Sequence, residues 1–252
     1  MAMSGPAVDD LDDLRRGRLL ARSALHRAQR LPFKPVSSAK WVDVSSSNGM
    51  VRVQIEHDTI RGVTPEMMRW WFEHLADSTT WNGVDFSGPA VSHYHLWHHR
   101  DHIAVTPLDR GAPVDCDESD LGASTVSTGF AVGARTRIDE RFNDYRDRIS
   151  ATVVTTDLDD AEFTFEIRML GRTVGHVLHR YSPERGGLRF YAETVIGLPT
   201  RAGRLANLVR PLMYSARTAD HWIRHNIEET GRSEDVIPVL HAHHTGTGAL
   251  SA

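Results

Sequence analysis

Residues 161–197 read AEFTFEIRMLGRTVGHVLHRYSPERGGLRFYAETVIG, and their reading decides the fold. Apolar and polar residues alternate through three runs, Ala161–Leu170, Thr173–Tyr181 and Leu188–Ile196, at the two-residue period of strands. LGR leaves room only for a tight hairpin, and SPERGG reads as a turn. Working outward, the same alternation marks Val51–His57, His102–Thr106, Ser124–Val132, Ala134–Phe142 and Ile149–Thr156. Consecutive strands without helices between them imply an antiparallel sheet. Downstream lies LPTRAGRLANLVRPLMYSARTADHWIRHNIEETG, residues 198–231. It predicts a long helix that Thr200 can cap, Pro211 kinks or splits, and Gly231 ends. An earlier helix is predicted in TPEMMRWWFEHLAD, with Thr64 as cap, Pro65 in the first turn, and Met68, Trp71, Phe72 and Leu75 on one face. The plan is α+β: a curved antiparallel sheet around a long C-terminal helix, with a cavity between them. Residues 1–40 read as an N-terminal helical arm and linker, 41–235 as the domain, and 236–252, including LHAHHTG, as a flexible tail.

The composition narrows the function. With 252 residues, 40% hydrophobic and 25% charged, the chain is of ordinary globular make-up and can bury a sizeable core. A net charge of -4 gives no basic footprint for nucleic acid or an anionic membrane. The N-terminus carries acids where a secretory signal needs an apolar run. No stretch approaches ~20 consecutive apolar residues. A cytoplasmic protein is the expectation. Cys116 is the one cysteine, so a metal here needs His, Asp and Glu, a donor set that favours zinc, manganese or iron. No phosphate-binding glycine loop, dinucleotide fingerprint or nucleophile elbow is present.

Histidine is the outlier, at 15 residues. Residues 93–102, HYHLWHHRDH, hold five of them. On strand parity His93 and His95 share one face, with Tyr94 and Leu96 on the other. His102 leads straight into the apolar run IAV and is the one expected to point inward. In HWIRHNIEE, His225 and Glu229 stand four apart on one helix face, as do His221 and His225. Such a pair grips a metal from one side or forms a solvated face. Glu140 shares a strand face with Ile138 and Phe142. It is either a buried carboxylate needing a partner or an edge residue paired, like Asp139, with Arg135, Arg137 or Arg141. His176 and Tyr191 lie on facing strands as candidate substrate-facing groups, with His179 and Glu193 as the alternatives.

Taken in order, MMRWWFEHL, YHLWHHRDHI and HNIEE resemble the 2,4-diacetylphloroglucinol hydrolase family, which includes phloretin hydrolase. The resemblance covers roughly residues 45–232. It implies a helix-grip fold like that of the birch-pollen allergen. It also implies a zinc ion held by two histidines and two glutamates, and hydrolysis of the carbon–carbon bond between a phenolic ring and an acyl group. Carried over residue by residue, the ligands fall on His102, Glu140, His225 and Glu229. Tyr94, His176 and Tyr191 match the family's substrate-handling groups. Where the family has an asparagine just after the first ligand, this chain has Val105 nearby. The implied partner is a small phenolic ketone, and the implied assembly a homodimer. A carrier of an apolar or polyketide ligand, with histidines merely lining its pocket, is the reading from another class.

Overall fold

The computed structural model describes residues 33–81, 85–109, 129–142, 147–169, 171–198, 200, 207 and 214–246. Residues 1–32 of the expected arm and linker and 124–128 of the expected strand Ser124–Val132 lie outside them; residues 129–132 form no strand.

The main sheet runs β1 (Trp41–Ser47), β2 (Met50–Glu56), β11 (Gly187–Ile196), β10 (Arg172–Glu184), β9 (Glu162–Met169), β8 (Asp147–Leu158), β7 (Arg135–Arg141), β6 (His102–Pro107), every neighbouring pair antiparallel. The short β3 (Ile60–Arg61) pairs with β11, and β4 (Ser78–Thr79) with β5 (Val91–Ser92). The helices are α1 (Pro65–Glu73), α2 (His93–Trp97) and α3 (Ala216–Thr245). This is the helix-grip plan of a curved antiparallel sheet and a long C-terminal helix. Among the described residues no helix is long and apolar enough to cross a membrane.

Local chemistry explains the elements. Gly171 at φ 75° and Gly186 at φ 90° close the β9–β10 and β10–β11 hairpins, a backbone region other residues enter at a cost. The second turn is tighter than SPERGG suggests, since β10 runs on to Glu184. Thr64 caps α1 by accepting the Met67 amide hydrogen, with Pro65 in the first turn.

The C-terminal helix departs from the sequence reading. Its cap is Ser215, in a reciprocal capping box with Thr218, and it runs to Thr245. Gly231 does not end it. A Cβ there would lie 2.9 Å from the side chain of Lys34, which crosses the helix at that point and pairs with Glu234 at 2.6 Å. Residues 236–245, expected in a flexible tail, are therefore helical, and Val236, Ile237 and Leu240 are buried.

The core forms where the inner face of the sheet meets α1 and α3. Val53 and Ile55 of β2, Phe163 and Phe165 of β9, Val177 and Tyr181 of β10 and Leu188 and Phe190 of β11 point inward. They join one cluster with Trp71 and Phe72 of α1 and Ile223, Ile227 and Ile237 of α3. At ~1.5–3 kcal/mol for each large apolar side chain removed from water, this face fixes the parity of β2, β9, β10 and β11.

Candidate metal centre

His102 is the first residue of β6 and is held from the preceding helix. Ser92 caps α2 by accepting the His95 amide hydrogen, so His93–Trp97 wind as a helical turn rather than as the expected strand. That turn lays the Tyr94 ring on the His102 ring, with centroids 3.6 Å apart and planes 7° from parallel. The Tyr94 carbonyl accepts the Nδ1 hydrogen of His102 at 2.6 Å. His102 thus presents the lone pair of Nε2 inward, fully buried.

The other three residues arrive from two elements. Glu140 of β7 sits opposite His102 in the β6–β7 register. Its Oε1 accepts the Tyr94 hydroxyl at 2.5 Å, which decides the question left open by the sequence: Glu140 is the buried carboxylate, while Asp139 pairs with Arg137. His225 and Glu229 share one face of α3. Nδ1 of His225 donates to Asp101 Oδ2 at 3.1 Å, and Asn226 donates to Glu229 Oε1 at 2.9 Å.

The four meet. Nε2 of His102 is 3.2 Å from Glu229 Oε2 and 3.9 Å from Glu140 Oε1; Nε2 of His225 is 3.5 Å and 3.8 Å from the same two oxygens. Both Nε2 atoms are buried and make no hydrogen bond. Zinc–ligand bonds of about 2.0–2.2 Å place neighbouring ligand atoms of a tetrahedral site roughly 3.3–3.6 Å apart; the two distances to Glu229 are close to this, and the two to Glu140 are a few tenths of an ångström longer. Two imidazoles that direct their Nδ1 hydrogens outward and their Nε2 atoms inward, beside two carboxylates, are the donors a borderline cation takes once Nε2 of His225 gives up its proton.

The electrostatics agree. Burial lowers the His102 pKa to about 3, so it stays neutral. Burial also opposes charge on His225, but Glu229, then the bond to Asp101 and the charge of Glu140, hold its pKa up at about 9. Burial raises the Glu229 carboxyl, with His225 opposing it. In the absence of a cation His225 keeps a proton on Nε2 beside Glu229, and a cation would displace it. Burial, then Glu140, raises the Tyr94 hydroxyl well above its ordinary value, so Tyr94 remains a donor.

A second layer was not foreseen beyond Asp101. Nε2 of His98 donates to Glu228 at 3.0 Å, and its Nδ1 accepts the Asp101 amide hydrogen at 3.1 Å. Glu228 is also paired with Arg100 and with Arg224. His98, Asp101 and His225 stand close enough to form a second cluster of ligand atoms, but their bonds to one another make them a brace behind His225.

His176 and Tyr191 do not join the site. Val177 and Tyr181 fill the core, so strand alternation turns His176 outward, with its side chain 44% exposed. The inward Phe190 and Ala192 likewise turn Tyr191 to the outer face, where it bonds Gln54 and Glu193. The inward histidine of β10 is His179, among Phe72, Phe163 and Phe190 and electrostatically coupled to Glu229; its Nδ1 has no hydrogen bond. Beside Glu140 the inner face carries Val105, Ile138 and Ala151, paired across β6, β7 and β8 and only half-buried.

No protein-family model and no curated protein matches the chain. Solved structures of similar shape include protein Ms6760 of Mycobacterium smegmatis, at 12% identity over 82% of this chain and 99% of that one, with a TM-score of 0.38. Protein SA2116 of Staphylococcus aureus matches at 13% identity over 79% of this chain and 96% of that one, TM-score 0.38. The di-domain ARO/CYC BexL from the BE-7585A biosynthetic pathway matches at 14% identity over 76% of this chain and 51% of that one, TM-score 0.43.

Proposed function

We propose that this chain is a zinc-dependent hydrolase that cleaves the carbon–carbon bond between a phenolic ring and an acyl group. One observation carries the proposal. Two buried imidazole Nε2 atoms without hydrogen bonds cluster with an oxygen of Glu229, and Glu140 Oε1 lies within 3.9 Å of both. Leaving such atoms unpaired costs free energy unless something binds them.

His102, Glu140, His225 and Glu229 would hold the ion. When bound, zinc supplies Lewis acidity toward a carbonyl oxygen or water. Tyr94 keeps Glu140 in place through its hydroxyl. The half-buried row Val105, Ile138 and Ala151 offers an apolar floor for a ring beside the carboxylates. His179, with its unpartnered Nδ1, takes the phenol-orienting role that sequence reading gave to His176. Overall, water adds across the bond: the acyl carbon gains the hydroxyl and leaves as a carboxylic acid, and the ring carbon gains the hydrogen.

The same apolar row favours a second reading, a non-catalytic carrier of an apolar or polyketide ligand in the helix-grip interior. Incubation of the zinc-loaded protein with phloretin and with acylphloroglucinols, followed by product analysis, separates the two. Release of the carboxylic acid and the deacylated ring supports the hydrolase. Tight binding of these ketones with no product, at full zinc loading, supports the carrier.

A further inference from the structure

The histidines of the C-terminal stretch LHAHHTG, which the sequence gives no role, pack against the domain. His241 and His244 lie on the Trp70 indole of α1, with ring centroids 5.2 and 5.4 Å away. His74 stacks on the same indole at 5.0 Å, and His93 of α2 approaches it at 6.0 Å. His74 and His244 are themselves 5.0 Å apart, and His243 stacks on Phe86 at 3.6 Å. Imidazoles from three elements therefore surround one tryptophan. His74 and His93 are anchored by their Nδ1 hydrogens, donated to the carbonyls of Trp70 and His74.

The segment that brings in His241, His243 and His244 is separable from the rest of α3. Glu234 is pinned by the Arg61 amide at 2.8 Å and by Lys34. Four residues later comes Pro238, inside the helix and without an amide hydrogen for the helical ladder. Beyond it, among the described residues, Leu240 is the one buried apolar anchor. Imidazoles add aromatic contacts to Trp70 and Phe86.

We propose that the last two turns of α3, from Val239 to Thr245, are an acid-released latch, docked on Trp70 while these imidazoles are neutral and freed when several are protonated. The acids facing the cluster are Glu66 of α1, toward His241, and Asp77 after α1, toward His93; the facing imidazoles are His74, His93, His241 and His244. His93 and His241 each face one of these carboxylates together with the imidazoles of His74 and His244. Rings from the latch and from the domain stand about 5–6 Å from the same indole, so charge gathered on this side of Trp70 weakens the docked contact. Burial holds His93 down at about 4 and lowers His241, so the docked form binds fewer protons than the released form. Docking is therefore fully favoured above an ordinary histidine value of about 6.5 and is lost as pH falls from there toward about 4.

Hydrogen exchange of the full chain by mass spectrometry at pH 7.5 and pH 5.0, corrected for intrinsic rates, tests the latch. The expected result is a loss of protection of about tenfold or more in peptides over 239–245 at the lower pH, with β10 and β11 unchanged. His74→Gln leaves the α3 sequence intact and should move the release to lower pH; His241→Gln with His244→Gln should do so further. Equal protection at both pH values overturns the latch. So does loss of protection only together with β10 and β11, or an unaltered pH response in both variants.

Discussion

Tyr94 holds two of the converging residues at once: its hydroxyl donates to Glu140 at 2.5 Å, while its carbonyl accepts from His102 at 2.6 Å. The carbonyl bond survives any side-chain substitution. The hydroxyl bond does not. Tyr94→Phe should leave the fold and the stacking on His102 intact and weaken zinc affinity by about tenfold, the lower end of the usual cost of losing an outer partner of a ligand. Competition with a chromophoric chelator reads it, and unchanged affinity would mean that Glu140 needs no such support.

Asp101 has the corresponding role for His225. Asp101→Asn keeps the size but offers a neutral amide to the Nδ1 hydrogen. Zinc affinity should fall by about 10- to 100-fold, more than for His98→Gln, which acts one bond further out through the Asp101 amide. Equal losses in the two variants would argue for a general loosening rather than for orientation of His225.

The two faces of β10 and β11 give a contrast in activity. His179→Gln on the inner face should reduce turnover of a phenolic ketone by about 100-fold or more. His176→Gln and Tyr191→Phe on the outer face should stay near wild type, with zinc content unchanged in all three. Loss of turnover in His176→Gln with His179→Gln unaffected would reverse the assignment.

That contrast also shows what the sequence could and could not give. GHVLHRY contains two histidines of opposite parity, and alternation alone does not say which faces in. The choice is made by the partners: Phe163 and Ala192 flank His179 in the register, so Val177 and Tyr181 turn inward with it. Ligands on α3 were legible because a spacing of four defines a helix face without tertiary context. Thr64 and Pro65 announced α1 in the same local way. The strand β1 was legible in principle and missed: Asn48 at φ 52° and Gly49 at φ 76° form the Asn-Gly turn that marks a hairpin with β2. The run through Gly231 was not legible, because Lys34, distant in sequence, covers the missing side chain.

Stability should depend on acid through His57. It is buried, bonded to Asn226 at 3.1 Å, and burial lowers its pKa to about 3. The unfolded chain takes up this proton near an ordinary value of about 6.5, the native one only near 3, so unfolding becomes easier as pH falls through that window. The contribution is about 1.4 kcal/mol per pH unit. Urea unfolding at pH 7, 6 and 5 should show a shallower decline in His57→Gln than in wild type. Parallel curves would place the acid sensitivity elsewhere.

The central claim is that His102, Glu140, His225 and Glu229 bind one ion. Elemental mass spectrometry of the full chain, exposed to zinc and then dialysed against a weak chelator, tests it most directly, with His102→Ala and His225→Ala beside the wild type. About one zinc per wild-type chain is expected and near none in either variant, each of which removes one of four donors. A wild-type chain that retains no metal, or variants that retain as much as the wild type, would contradict it.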